Sequence, residues 1–390
     1  MVQIAWLGKK SPFCGNVSYG LSTTEALRSR GHQTHFIHFD NPRDPESPAT
    51  SLLANDPDVS LPYLVKSQVY TIPSPRAQRE LRESLERLKP DIVHASLTLS
   101  PLDFRLPELC QQLGVPLVAT FHPPFDAGLR NITAGTQQLT YQLYAPALAK
   151  YDRVIVFSQL QADVLVRLGV PEQRLVVIPN GVDINRWSPA LPSCPSPTLQ
   201  KVRERIGPKR IFLYVGRLAT EKNVEALLQA WRVADPCDSC LVIVGDGPLR
   251  SSLINQYDDQ SVIWWGYEPD QGTRIALMQV AEVFVLPSLV EGLSLALLEA
   301  MACGTACIAT DAGADGEVLN DGAGIVLSTQ GVTSQLRTLL PVLLEQPVLT
   351  AELGRKARER VLDRYTIDRN IDAIETVYAT LLSQSPVQAA

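Results

Sequence analysis

Along the chain, short runs of consecutive Val, Ile and Leu alternate with longer stretches whose apolar positions recur every three or four residues. The runs Gln3–Leu7, Thr34–Phe39, Asp91–Ala95, Pro116–Thr120, Arg153–Phe157 and Leu175–Ile178 are bounded by Pro, Gly or Asn and predict strands. Helix-period stretches separate them at Asn16–Arg30, Arg76–Leu88, Leu102–Leu113, Gly135–Lys150 and Gln159–Leu168. Unbroken apolar runs imply strands buried on both faces, hence a parallel sheet with crossover helices. Residues 187–198 carry four prolines and predict a linker. The alternation then restarts, with strands at Arg210–Val215, Cys240–Val244, Val262–Trp265, Val283–Leu286, Cys307–Thr310 and Gly324–Leu327. Helices are predicted at Val224–Ala234, Leu249–Gln256, Gly272–Gln279, Leu295–Ala302 and Thr333–Leu344, and two more (Thr350–Arg364, Ile367–Leu382) close the chain. The expectation is an α/β protein of two Rossmann-like domains facing a cleft, residues 1–188 and 199–366, with the last helix (367–385) packed back on the first domain.

Composition narrows the function classes. A length of 390 residues with 45% apolar and 19% charged content is ordinary for a core-forming protein of two or three domains. The net charge of −6 disfavours non-specific nucleic-acid binding. Up to residue 190 there are 18 Lys/Arg against 17 Asp/Glu, and beyond it 17 against 24, so the acidity lies in the second half. Seven scattered cysteines, including the lone pair Cys237 and Cys240, supply neither a disulfide framework nor the second pair a zinc site needs. No signal peptide or membrane-spanning run is expected, which predicts a soluble, cytoplasmic chain. The run Arg76–Lys89 is basic but laced with Glu80, Glu83 and Glu86, the pattern of a solvated helix face.

Candidate chemistry gathers at predicted strand ends. After Arg210–Val215 comes Gly216-Arg217-Leu218-Ala219-Thr220-Glu221-Lys222-Asn223, with Arg and Lys five apart before a helix start. A guanidinium fork and an ammonium point charge there make a pyrophosphate cradle, although an Arg–Glu pair on a surface loop would also fit. Val244-Gly245-Asp246-Gly247-Pro248 is half of a dinucleotide fingerprint, but Arg250 stands where the third Gly belongs, so nicotinamide binding is disfavoured. At the front, Gly8-Lys9-Lys10-Ser11-Pro12-Phe13-Cys14-Gly15-Asn16 meets a helix start, where the backbone at Gly15 can approach an anion. His122 follows another strand end, where open α/β sheets place ligands. Glu291 and Glu299 stand eight apart around a helix start just after a strand. On one helix that spacing would be about 12 Å, beyond the roughly 5–9.5 Å of a glycosidase carboxylate pair. It suits holding two ends of one extended ligand, with the Ser294 and Leu295 amides facing a phosphate between them.

The ordered series N-G-V-D (180–183), G-R-x-x-x-E-K-N (216–223), G-D-G-P (245–248) and E-x7-E-A-M-A-C-G-T (291–305) resembles glycosyltransferase family 4, retaining enzymes that use nucleotide sugars. Departures are Cys14-Gly15 where members commonly carry Gly-Gly, and Ala314 in place of the second Gly of a T-D-x-G-G loop. The resemblance implies a GT-B architecture, with donor in the C-terminal lobe and acceptor in the N-terminal lobe. It implies hexosyl transfer from a UDP-sugar with retention, by front-side displacement helped by the leaving phosphate, with no protein nucleophile and no metal cofactor. Arg217, Lys222 and the helix amides would stabilise the diphosphate, Glu291 would hold sugar hydroxyls, Glu299 the ribose, and His122 would lie near the reacting face of the sugar. Gly15, Gly216 and Gly245 complete the donor contacts.

Trp6–Val17 is similar to the same stretch of bacterial, especially cyanobacterial, digalactosyldiacylglycerol synthases, which implies galactosyl or glucosyl transfer to a membrane glycolipid such as monogalactosyldiacylglycerol. Pro12, Phe13, Pro123, Pro124 and Phe125, the helix residues Leu139, Tyr141, Leu143 and Tyr144, and Lys9, Lys10 and Arg130 would then form a face on the membrane surface. Packing within the core is the competing reading of those side chains. A soluble sugar or polysaccharide acceptor, a nucleotide-sugar 2-epimerase and a non-catalytic binding protein are the rival functions.

Overall fold

The structure, a computed structural model, describes residues 1–11, 14–40, 58–67, 70–125, 132–191 and 195–384. The chain forms two compact units that are not contiguous in sequence: Met1–Pro123 with Leu139–Asn180 and Ile367–Ala390, and Pro124–Gln138 with Gly181–Thr366.

The first unit holds a sheet of strands β1 (Gln3–Gly8), β2 (Gln33–Phe39), β3 (Val59–Leu61), β6 (Ile92–Ser96), β7 (Leu117–Thr120), β8 (Arg153–Val156) and β9 (Leu175–Val177), in the order β3-β2-β1-β6-β7-β8-β9 and parallel throughout. A two-stranded antiparallel ribbon, β4 (Tyr63–Lys66) and β5 (Thr71–Pro73), lies outside it. The central strands β6 and β7 are buried at every position. The last helix, Ile367–Gln384, belongs to this unit. Arg30 holds its first turns through Asp368, Asp372 and Glu375, and deeper in the unit the Tyr378 hydroxyl meets His94 Nδ1 at 2.5 Å. Pro12, Phe13 and Arg130 lie outside the described residues.

In the second unit β10 (Arg210–Val215), β11 (Ser239–Val244), β12 (Val262–Gly266), β13 (Val283–Leu286), β14 (Ala306–Thr310) and β15 (Ile325–Leu327) run parallel in the order β12-β11-β10-β13-β14-β15. Strand order reverses between β10 and β13, the switch point at which doubly wound sheets bind ligands. The Arg217–Lys222 and Glu291 segments leave these two strands. The predicted linker is shorter than expected: a helix begins at Pro197, with Ser196 Oγ capping the Leu199 amide at 3.1 Å.

Candidate functional site

In the second unit the chemistry is built on two loops. Past β10, the Tyr214 hydroxyl donates to the Arg217 carbonyl at 2.9 Å, fixing the backbone of the turn. The Gly216 amide donates to Val244 at 3.0 Å, and the Leu218 amide to Asp246 at 2.9 Å, so the Gly245–Gly247 segment clamps this turn from one side. The Arg217 guanidinium pairs with Glu221 at 3.1 Å, the Arg–Glu arrangement the sequence also allowed. A 3-10 turn at Thr220–Lys222 then presents Lys222, whose Nζ lies 2.5 Å from Glu291 Oε1. Ser288 Oγ donates to the same carboxylate oxygen at 2.7 Å.

Glu291 stands off the helix, which begins four residues later at Leu295. Its carbonyl accepts the Phe125 amide at 2.8 Å, and the Gly313 amide closes the pair by donating to the Phe125 carbonyl at 3.1 Å. Gly313, at φ 57°, approaches so closely that a Cβ would sit 2.1 Å from the Glu291 oxygen. Ser294 is the N-cap, with its Oγ accepting the Leu297 amide at 3.3 Å. Its own amide donates to Asp315 Oδ1 at 2.8 Å, leaving Leu295 and Ala296 as the helix amides without a partner among the described residues. Sequence reading passed over Asp315, whose position looks like an ordinary first-turn acid of the short helix Asp315–Leu319. It is fully buried, and burial followed by the Glu291 charge pushes its carboxyl well above the usual range.

Glu299 lies on the second turn of the Leu295–Ala302 helix. Its half-buried carboxyl has no hydrogen-bond partner among the described residues, and desolvation lifts its pKa to about 7 against the opposing pull of Arg274. If this carboxyl meets the ligand, its ionised form is the stronger acceptor of hydroxyls, and the neutral form keeps a single weaker carbonyl acceptor. UDP affinity, measured by calorimetry, should rise as pH passes upward through about 7. Glu299→Gln should flatten that rise and lower affinity at pH 8 by roughly tenfold, the worth of one charge-assisted hydrogen bond.

In the first unit His122 follows β7, its ring between Tyr19 (centroids 4.9 Å apart) and Phe157 (5.3 Å). Its Nε2 lies 2.8 Å from Ser96 Oγ, and burial with the nearby Lys9 charge lowers its pKa to about 3. Gly15 opens the helix Gly15–Ser29, exposed, with open space where a Cβ would stand. One part of the expected membrane face is corrected. Tyr141 and Tyr144 are core residues, their hydroxyls donating to the Pro123 carbonyl and to Asp103, both at 2.8 Å. Leu139 and Leu143 share their helix yet are 65% and 64% exposed.

Comparison with solved structures places this architecture among the GT-B glycosyltransferases. Anabaena Alr3699/HepE, solved in complex with UDP-glucose, matches with a TM-score of 0.78 at 18% identity over 97% of this chain and 100% of that one. Sucrose-phosphate synthase from Thermosynechococcus elongatus matches with a TM-score of 0.76 at 20% identity over 98% and 99%. The chain belongs to glycosyltransferase family 4: the family model "Glycosyltransferase Family 4" matches residues 15–186, and "Glycosyl transferases group 1" matches residues 209–342. Curated relatives include the Escherichia coli UDP-Gal:alpha-D-GlcNAc-diphosphoundecaprenol alpha-1,3-galactosyltransferase, 27% identical over 77% of this chain and 78% of that protein. The phosphatidyl-myo-inositol mannosyltransferase of Mycobacterium leprae is 29% identical over 96% of both. The protein is a hexosyltransferase.

Proposed function

We propose that this enzyme moves galactose or glucose from UDP, with retention, to a membrane glycolipid such as monogalactosyldiacylglycerol. The observation that carries the donor half is the Lys222–Glu291 contact of 2.5 Å at the sheet's switch point. It sets an ammonium group beside a carboxylate able to orient sugar hydroxyls, with Arg217 on the neighbouring turn. Cations fixed where a diphosphate gains charge stabilise the transition state, which supports departure of UDP without a bound metal. Glu299 takes the ribose, Leu295 offers its amide to the diphosphate, Gly15 remains a donor contact and His122 lies at the reacting face of the sugar, while the first unit receives the acceptor. A lipid acceptor is supported by Leu139 and Leu143, which stand on one helix turn in water, and by Leu64, Val65 and Ile72, exposed on the β4–β5 ribbon, with Tyr70 exposed just before β5. Several relatives carry lipid-linked acceptors in their names. Among the described residues no helix is long and apolar enough to cross a membrane, so attachment would be peripheral.

Labelled UDP-galactose and UDP-glucose, offered with monogalactosyldiacylglycerol vesicles, soluble sugars and glycogen, test this reading. The expected result is label in the lipid fraction, undiminished by a chelator. Transfer to soluble acceptors alone would exclude the glycolipid, epimerised donor would indicate an isomerase, and chelator-sensitive turnover would exclude metal-free departure. In a pelleting assay with galactolipid vesicles, Leu139→Ser with Leu143→Ser should cut the vesicle affinity by about 10²-fold, since each exposed leucine contributes about 1.5–3 kcal/mol when fully buried. A wild-type protein left wholly in the supernatant would remove membrane attachment.

A further inference from the structure

A chain of hydrogen bonds behind His122 fixes which of its nitrogens carries the proton. Asn16 Nδ2 donates to the Leu97 carbonyl at 2.9 Å, so the amide cannot be turned over without setting two oxygens against each other. Its Oδ1 therefore faces Ser96, whose hydroxyl donates to it at 2.8 Å. The single Ser96 proton is thereby committed, and Ser96 Oγ, 2.8 Å from His122 Nε2, can only accept there. His122 must carry its hydrogen on Nε2. Its Nδ1 has no partner among the described residues, and the residue is half-buried. Packing between Tyr19 and Phe157 keeps the ring from turning.

We propose that Asn16 and Ser96 are positioning residues that lock His122 as the neutral Nε2–H tautomer, so that Nδ1 faces the ligand as a hydrogen-bond acceptor for a sugar hydroxyl. The proposal rests on the glycosyltransferase reading for the ligand but not for the tautomer. A ring held this way cannot protonate a leaving group; it selects a ligand that brings a hydroxyl and rejects one that brings a carboxylate, which would set oxygen lone pairs against the Nδ1 lone pair.

The test is two-dimensional NMR of the full chain labelled with ¹⁵N-histidine, the His122 signals assigned by their loss in His122→Gln. Wild type should show a protonated Nε2 and a bare Nδ1, unchanged between pH 5.5 and 8. A proton on Nδ1, or titration within that range, would overturn the proposal without any second variant. Asn16→Leu removes the acceptor that holds the Ser96 proton. That proton should then turn to His122 Nε2 and drive the ring to the Nδ1–H form. In the same variant kcat/KM should fall by about 10–100-fold, the cost of one buried hydrogen bond reversed in sense. Ser96→Thr, which keeps the hydroxyl, should retain the wild-type tautomer and recover most of the rate. An Asn16→Leu protein with wild-type spectra overturns the relay, and one with switched tautomer but wild-type kcat/KM overturns the role of Nδ1. If no sugar transfer is found at all, the spectra still decide the tautomer, so the two readings fail separately.

Discussion

Lys222→Ala should lower kcat by about 10²–10³, the usual cost of one charge-stabilising donor at a site of developing charge. The side chain has two jobs, and they must be separated. Its ammonium neutralises Glu291, a nearly buried carboxylate whose other side-chain partner among the described residues is the Ser288 hydroxyl and whose charge is felt by the buried Asp315. Removing one partner of a well-buried pair costs about 3–5 kcal/mol. Lys222 keeps 23% of its side chain in water, so the loss here should fall below that range. The double variant Lys222→Ala with Glu291→Gln should therefore regain most of the melting temperature while regaining none of the rate. Arg217→Ala makes the complementary case. Its pair with Glu221 is partly exposed, and such pairs are worth about 0–1 kcal/mol, so losing that pair should cost little stability while kcat falls by a similar 10²–10³. Near-wild-type turnover in both single variants would remove the diphosphate from these residues.

The parts of the molecule that announced themselves in the sequence are those set by local pattern. Runs such as Val283–Leu286 had only one way to be buried on both faces, and both parallel sheets followed from that. What escaped was short or shaped from a distance. β3 has three residues and makes its contacts through Ile37–Phe39, far away in sequence. The helix starting at Pro197 hid among prolines that read as a linker, although Ser196-Pro197 is itself a helix-start signal. At the candidate site, Arg217, Lys222 and Gly245 follow strand ends and Glu299 is marked by its spacing from Glu291 across a helix start, so the sequence alone nominates them. It does not nominate their partners. Spacing shows that a carboxylate lies eight residues before Glu299, but the Phe125 amide and Gly313, which hold the Glu291 backbone, come from 166 residues before it and 22 after it. Ser294 offers the clearest lesson. Its amide looked available to a phosphate, and only the fold shows Asp315 already there. The Asn16–Ser96–His122 relay likewise joins three strand or helix ends that no single window contains.

Gly245→Ala should be the most damaging change that removes no functional group. Its φ of 137° lies where side chains are rarely tolerated, and a Cβ there would stand 1.9 Å from the Gly216 carbonyl oxygen. The contact cannot open cheaply. The Gly216 amide is tied to Val244, the Gly245 amide to Gly266 at 2.8 Å, and the Leu218 carbonyl accepts the Leu249 amide at 3.0 Å. Strained backbone costs about 1–3 kcal/mol and overpacking about 1–3 more, so the unit should either lose several kcal/mol or push the Gly216–Leu218 turn aside. A shift of about 1 Å in the turn that carries Arg217 would itself cost about 10²-fold in rate. The expected result is a lowered melting temperature together with kcat/KM reduced at least about 100-fold; wild-type values of both would show that the clamp is slack. Gly15→Ala is the informative contrast, because no atom of the described residues beyond its chain neighbours and its own helix lies within 4 Å of its would-be Cβ, and alanine is the better helix former by about 1 kcal/mol. That variant should melt no lower than wild type. Any rate it loses would then come from a methyl group standing between the helix amides and a ligand, because the fold around Gly15 has room for it.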